Sequence, residues 1–288
     1  LRTPLEEQGW QGWLHQLDLA DKHPPLHKVG GWLMMELLGR WTAELNAARL
    51  WTGIQFALSV MLVCLLARQR LPRLASVFAA LAWWTWPRAF AHAHLFALDV
   101  SIAFWSVLFV YVFWKALDRR WPVALIAGVV LGAGLSTKLN AFFFPVWIVA
   151  FLALEGIFRR RGKNSKSAGF SLRMAWLHLG LACVAGAIFF FTSWPFLWKA
   201  PLAHFLEYVS FHAAHQNAGV LYYGQTYYGD SIPPWHFPVV TLLVTTPLGV
   251  LALFLFGGLR LGWRGGSWGR LLLVFGLCPL ILQSLPGV

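Results

Sequence analysis

Long apolar runs alternate with short polar ones along most of the chain, and the pattern predicts eight hydrophobic helices. They cover about 50–67, 72–86, 97–114, 122–136, 141–158, 175–194, 237–258 and 271–288. About 20 apolar residues cross a bilayer, so the second and fourth runs are short for a full crossing. The polar stretches carry a second periodicity. Trp10, Trp13, Leu14 and Leu17 follow a helical spacing, as do Leu33, Leu37 and Trp41, and Leu202, Phe205, Leu206 and Val209. These stretches read as amphipathic helices lying in the membrane interface. The expected fold is an all-α polytopic membrane protein of about eight transmembrane helices. Residues 1–49 form a first outer loop, 50–194 a six-helix core, 195–236 a long second outer loop, and 237–288 two further helices.

Composition agrees. The 288 residues are 58% hydrophobic and 12% charged, where a soluble domain carries about 25% charged residues. The chain opens on Leu1 without a methionine and stops inside an apolar run, and so reads as a piece of a longer protein. Cys64, Cys183 and Cys278 all fall in apolar runs and read as small buried hydrophobes rather than a disulfide framework.

The net charge of +12 invites a nucleic-acid reading, but its distribution excludes one. Fifteen of the 23 Lys and Arg lie in alternate short loops, at 68–73, 115–120, 159–173 and 260–270. By the positive-inside rule those loops are cytoplasmic. Nine of the 11 acids and nine of the ten histidines lie on the other side, where the loops are also longest. Any chemistry is expected there. Glu155, beside Arg159-Arg160-Arg161, reads as a cytoplasmic helix-end ion pair.

Four outer stretches carry candidate chemistry. Ala91–Ser101 (AHAHLFALDVS) places His92, His94 and Asp99 at the mouth of an apolar run, where ionisable groups are costly and point to function. If the stretch is helical, His92 and Asp99 share a face; if it is still extended at its start, His92 and His94 point the same way. Asp99 also suits the first turn of a helix. Ser136–Asn140 is a tight turn whose single charge, Lys138, suits an anion such as a lipid phosphate, or snorkels to water. In Asp21–Lys28 two prolines make a rigid turn that displays His23, His27 and Lys28 at the membrane surface. In Leu221–Asp230, Tyr222, Tyr223 and Gln225 offer ring faces and polar groups that suit a sugar site or an interfacial aromatic belt. No P-loop, dinucleotide fingerprint, HExxH or GxSxG occurs.

The combination of HPPLHK (His23–Lys28), AHAHLFALD (Ala91–Asp99), GLSTKLNAFFFP (Gly134–Pro145), SWPFLWKAP (Ser193–Pro201) and YYG followed by PPWHFP (Tyr222–Gly224, Pro233–Pro238) resembles the protein O-mannosyltransferase-like family of polyprenyl-phosphate-sugar-dependent glycosyltransferases, within the glycosyltransferase C superfamily. The resemblance implies a membrane enzyme that passes a hexose from a lipid phosphate to a hydroxyl on protein, lipid or glycan at the exoplasmic face, with inversion. It implies Asp99 as acceptor-side base or metal ligand, with His92 and His94 beside it. It implies Lys138 on the donor phosphate, with His23 and Lys28 lining the same site, and Tyr222, Tyr223, Gln225 and Asn140 as sugar or acceptor contacts. The lipid-phosphate sugar is a co-substrate. A divalent metal on Asp99 and His92 is left open, since two ligands do not make a site. The resemblance implies that the family's early acidic pair lies before Leu1, Glu6-Glu7 being the alternative. The composition and short loops place the protein in a bacterial inner membrane. Two other classes remain open: a transporter or flippase for a lipid-linked substrate, and a non-catalytic subunit that binds one.

Overall fold

The computed structural model describes residues 23–118, 121–160, 169–213, 217–229, 231–264 and 266–284. The expected helix through Trp10–Leu17, and Glu6, Glu7, His215 and Asp230, lie outside them. In their described residues all eight apolar runs are helical. In chain order the helices are α1 (Leu26–Leu38), α2 (Glu44–Ala67), α3 (Arg73–Trp84), α4 (Pro87–Ala93), α5 (Leu98–Leu117), α6 (Trp121–Leu135), α7 (Phe143–Arg160, entered through a 3-10 turn at Leu139–Phe142), α8 (Leu172–Ser193), α9 (Phe196–Lys199), α10 (Pro201–Ala213), α11 (Phe237–Thr245), α12 (Leu248–Arg264) and α13 (Gly266–Gln283). Among the described residues five spans are long and apolar enough to cross a membrane: α2, α5, the 3-10 turn with α7, α8 and α13. The chain is an all-α polytopic membrane protein.

The run expected to form one helix over 237–258 is instead α11 and α12, bent by 118° at a short break. Pro247 is the cause. It cannot donate to the helix ladder, and it forces Thr246 out of the helical region to φ −99°, ψ 130°. The indole N–H of Trp86 donates to Thr245 O at 3.3 Å across this break.

The core lies among α5 to α8, with α9, α10 and α13 against them, and is built on Phe109, Phe113, Phe144, Ile148, Phe151 and Leu152. Its tightest seam joins α6 to α8. A Cβ on Gly128 would sit 2.5 Å from Ala185 Cβ, and one on Gly132 would sit 2.5 Å from Phe189 Cβ. The spacing is G-x-x-x-G, which lets helix backbones approach where lipid offers no hydrophobic drive to association. Gly132→Leu is therefore expected to lower the thermal unfolding temperature in detergent. Gly180→Leu, on α8 where a Cβ meets open space, is the control that should not.

The two described amphipathic stretches expose leucines of their apolar stripes. On α1 the buried residues are His27, Gly30 and Gly31, while Leu33 and Leu37 are exposed. On α10 the inward stripe is Phe205, Tyr208 and Val209, while Leu202 and Leu206 are exposed. In a membrane the medium is itself apolar, so a leucine stripe need not seek the core.

One element has no counterpart in the expectation. Asn217–Tyr222 (β1) and Gln225–Gly229 (β2) form an antiparallel hairpin in the loop before α11. Its turn holds Tyr223 at φ 48° and Gly224 at φ 78°, the two positive values of a type I′ turn.

Candidate active site

The first turn of α5 carries Asp99, and the turn between α6 and α7 carries Lys138. The Lys138 Nζ donates to Asp99 Oδ1 at 2.8 Å. From the last turn of α4, His92 Nδ1 lies 3.4 Å from Asp99 Oδ2, at ion-pair distance. The Asp99 side chain is 54% exposed and that of Lys138 28%, so the cluster is open to a ligand. An ammonium has three N–H groups, and Asp99 takes one.

The two histidines part company. α4 is helical to Ala93 and turns before α5, so neither expected geometry holds throughout. His92 reaches Asp99 across the turn. His94 bonds through Nδ1 to Phe90 O at 2.8 Å and lines a groove between α2 and α3–α4. That groove has a volume of about 630 Å³; its lining includes the apolar Phe56, Ala57, Val60, Trp84 and Phe90 and the polar Asn46, Arg49 and His94. The last turn of α4 thus stands between the groove and the Asp99 cluster. Neither Asn46 nor Arg49 was singled out from sequence.

Asp99 and His92 supply two possible metal ligands, and the third group on the carboxylate is a cation. Among the described residues no three His, Cys, Asp or Glu side chains gather. This donor set does not fit a divalent ion.

The remaining expected residues have these contacts and positions. Lys28 Nζ donates to His23 O at 3.0 Å, and the His23 ring meets His212 of α10 edge-on with centroids 5.4 Å apart. Asn140 is exposed on the 3-10 turn. Tyr222 is buried, its hydroxyl 2.7 Å from His236 Nδ1 and its ring edge-on to Phe237. It docks the hairpin on the start of α11. Tyr223 is exposed at the tip, and Gln225 Oε1 accepts from the Tyr227 hydroxyl at 3.0 Å.

His27 overturns an expectation. Rather than being displayed with His23, it is buried in the first turn of α1. Gly30 and Gly31 are the reason. A Cβ on either would sit under 2.5 Å from the ring of Trp51 or Phe96, so only glycines let α1 lie flush and carry His27 inward. There Nδ1 lies 2.8 Å from Ser101 Oγ, and the Ser101 hydroxyl donates to Gln55 Oε1. The readable signal was on α2, where Thr52, Gln55 and Ser59 make a polar stripe inside an apolar helix.

Burial, reinforced by the Lys28 ammonium, pushes the His27 imidazole from 6.5 down to about 4. The unfolded chain takes up a proton near pH 6.5 that the folded chain refuses until about pH 4. Stability is therefore full above 6.5 and is lost as pH falls through 4. Thermal unfolding followed across that window should show the loss, and His27→Phe should remove its own share of the slope.

Comparison with curated proteins and with solved structures gave no match. One family model matches, described as dolichyl-phosphate-mannose-protein mannosyltransferase, over residues 22–194. That stretch holds α1 to α8 and the whole Asp99–Lys138–His92 cluster. The chain belongs to the dolichyl-phosphate-mannose-protein mannosyltransferase family and is a membrane glycosyltransferase.

Proposed function

We propose that the protein moves a mannose-like hexose from a polyprenyl-phosphate carrier to a hydroxyl of a protein, lipid or glycan at the exoplasmic face, with inversion. The observation that carries this reading is the solvent-open Lys138–Asp99–His92 cluster at one end of the bundle. The opposite end carries the arginines of the short loops, such as Arg68, Arg70 and Arg73, which the positive-inside rule places in the cytoplasm.

In this reading the Asp99 carboxylate takes the proton of the acceptor hydroxyl as its oxygen attacks the anomeric carbon. The bond from that carbon to the phosphate oxygen breaks, and the lipid phosphate leaves with one more negative charge. The remaining N–H groups of Lys138 meet that charge. His92 Nδ1 lies 3.4 Å from the second carboxylate oxygen, and Arg88 on α4 adds positive field. The groove between α2 and α4, lined mostly by apolar side chains with Arg49 and His94 among them, takes the lipid chain.

The test uses the purified protein in detergent with radiolabelled polyprenyl-phosphate mannose and a membrane acceptor fraction. Label entering the acceptor, with release of polyprenyl phosphate, supports the reading. Donor lipid that binds and is never consumed with any acceptor overturns it in favour of a binding subunit or flippase.

A further inference from the structure

We propose that the first turn of α1 is a strut that sets the spacing of Asp99 and Lys138, with His27 as its positioning residue. The proposal rests on the reading of those two side chains as reacting groups, and deepens it.

Asp99 and Lys138 sit on different elements, α5 and the turn after α6, and hydrogen bonds from α1 reach both, beside the packing of α5 on α6. The residue before α5, Ala97, gives no side-chain cap. In the Lys138 turn, Thr137 Oγ1 donates back to Ala133 O at 2.9 Å, and Ser136 Oγ meets Ser193 Oγ at 2.6 Å. Those bonds tie the turn to α6 and α8, not to α5. A further link to α5, away from the charged pair itself, comes from two consecutive residues of α1. Leu26 N–H donates to Ser136 O at 3.0 Å, two residues short of Lys138. His27 Nδ1 pairs with Ser101 Oγ at 2.8 Å, two residues beyond Asp99. One backbone step of α1 therefore bridges the two halves of the cluster.

The protons fix the tautomer. Ser101 has one hydroxyl proton and gives it to Gln55 Oε1. The bond to His27 must then run from Nδ1–H to Ser101 Oγ. That leaves Nε2 as a lone pair, which is shut off from solvent and has no hydrogen-bond partner. A sealed Nε2 cannot touch a substrate, so His27 acts by holding α5 in place. The ring is steadied by stacking on Phe96 at 4.3 Å between centroids, and Phe96 lies in the turn between His92 and Asp99.

The test compares three variants. His27→Phe keeps the ring and its stacking but deletes the N–H. His27→Asn places an amide N–H where Nδ1 stands. Ser101→Ala removes the same bond from the other side with little change in packing. Two readouts are taken: kcat and KM for labelled polyprenyl-phosphate mannose, and the rate at which Lys138 is acylated by a water-soluble N-hydroxysuccinimide ester, followed by mass spectrometry. For His27→Phe and Ser101→Ala the expected result is a fall in kcat of about tenfold or more with donor KM little changed, since small misplacements of reacting groups cost large factors. Lys138 should be acylated several times faster in both, as its ion pair loosens. His27→Asn should restore kcat and protection to near the parent values.

Parent kcat and protection in both bond-deleted variants would overturn the proposal. So would a His27→Asn as impaired as His27→Phe, which would assign the effect to ring bulk. If His27→Phe fails to fold, Ser101→Ala decides. If the parent protein transfers no sugar, the functional reading falls on that result alone, while the acylation rates still report the strut.

Discussion

Replacing Asp99 by asparagine is expected to cut sugar transfer by roughly 10²- to 10⁴-fold, the range a general base contributes. The amide has nearly the carboxylate's shape. Its oxygen still accepts from the Lys138 Nζ, which bonds Asp99 Oδ1 at 2.8 Å, so the fold and the lysine should stay in place. What disappears is the charge that takes the acceptor proton. Initial rates at saturating donor, beside equilibrium binding of donor lipid, separate the two effects. Binding should persist while turnover collapses. Lys138→Gln should instead weaken donor binding, because it leaves the phosphate without its cation. An Asp99→Asn enzyme that turns over at the parent rate would remove Asp99 from the chemistry.

The second large effect is at the other end of the bundle. Glu155 is fully buried and accepts four hydrogen bonds. Oε1 receives Ser267 Oγ at 2.8 Å and Arg159 Nε at 3.1 Å, and Oε2 receives Arg270 Nε at 2.9 Å and Nη2 at 2.7 Å. Sequence placed Glu155 in a helix-end pair with the arginines that follow it, and Arg159 is indeed a partner. The larger bond is to Arg270, 115 residues away, and it locks α13 onto α7. Glu155→Ala leaves the Arg270 guanidinium buried beside Ser267 and the ring of Phe158, without its carboxylate. Breaking one side of a buried pair costs about 3–5 kcal/mol. Thermal unfolding in detergent should show a large fall. The double variant Glu155→Leu, Arg270→Met should recover most of it, because apolar residues of similar volume replace both charges. A single variant as stable as the parent would mean that water reaches this cluster.

The two large effects differ in how far they could be read before the fold was known. Asp99 and Lys138 stood out individually, because charges at the edge of apolar runs are rare and expensive. Their contact did not, since 39 residues and a whole helix separate them. The eight apolar runs were legible as helices because lipid demands it, and the bend at Thr246–Pro247 follows from a local steric rule. His27 was misread because the prolines beside it make an exposed turn by any local rule. The deciding fact is tertiary: two glycines further along α1 meet the rings of Trp51 and Phe96. The hairpin was missed for a similar reason. Tyr223-Gly224 lacks the Asn-Gly or Asp-Gly signature of its turn, and the Tyr222–His236 bond that docks it spans a loop.

The short helices have a consequence for the lipid itself. α3 has 12 residues and α6 has 15. At 1.5 Å per residue they are about 18 and 22 Å long, against a hydrocarbon layer of about 30 Å. α6 joins the far end of α5 to the turn that carries Lys138, and most of its residues, Ala124, Ala127, Gly128 and Val130 to Leu135 among them, are buried in the protein. Its shortness is therefore absorbed by the helices packed around it, and it sets the Lys138 turn about 22 Å from its own far end, short of a full hydrocarbon layer. A lipid phosphate held there, as proposed, would meet the ammonium below the level of its neighbouring headgroups.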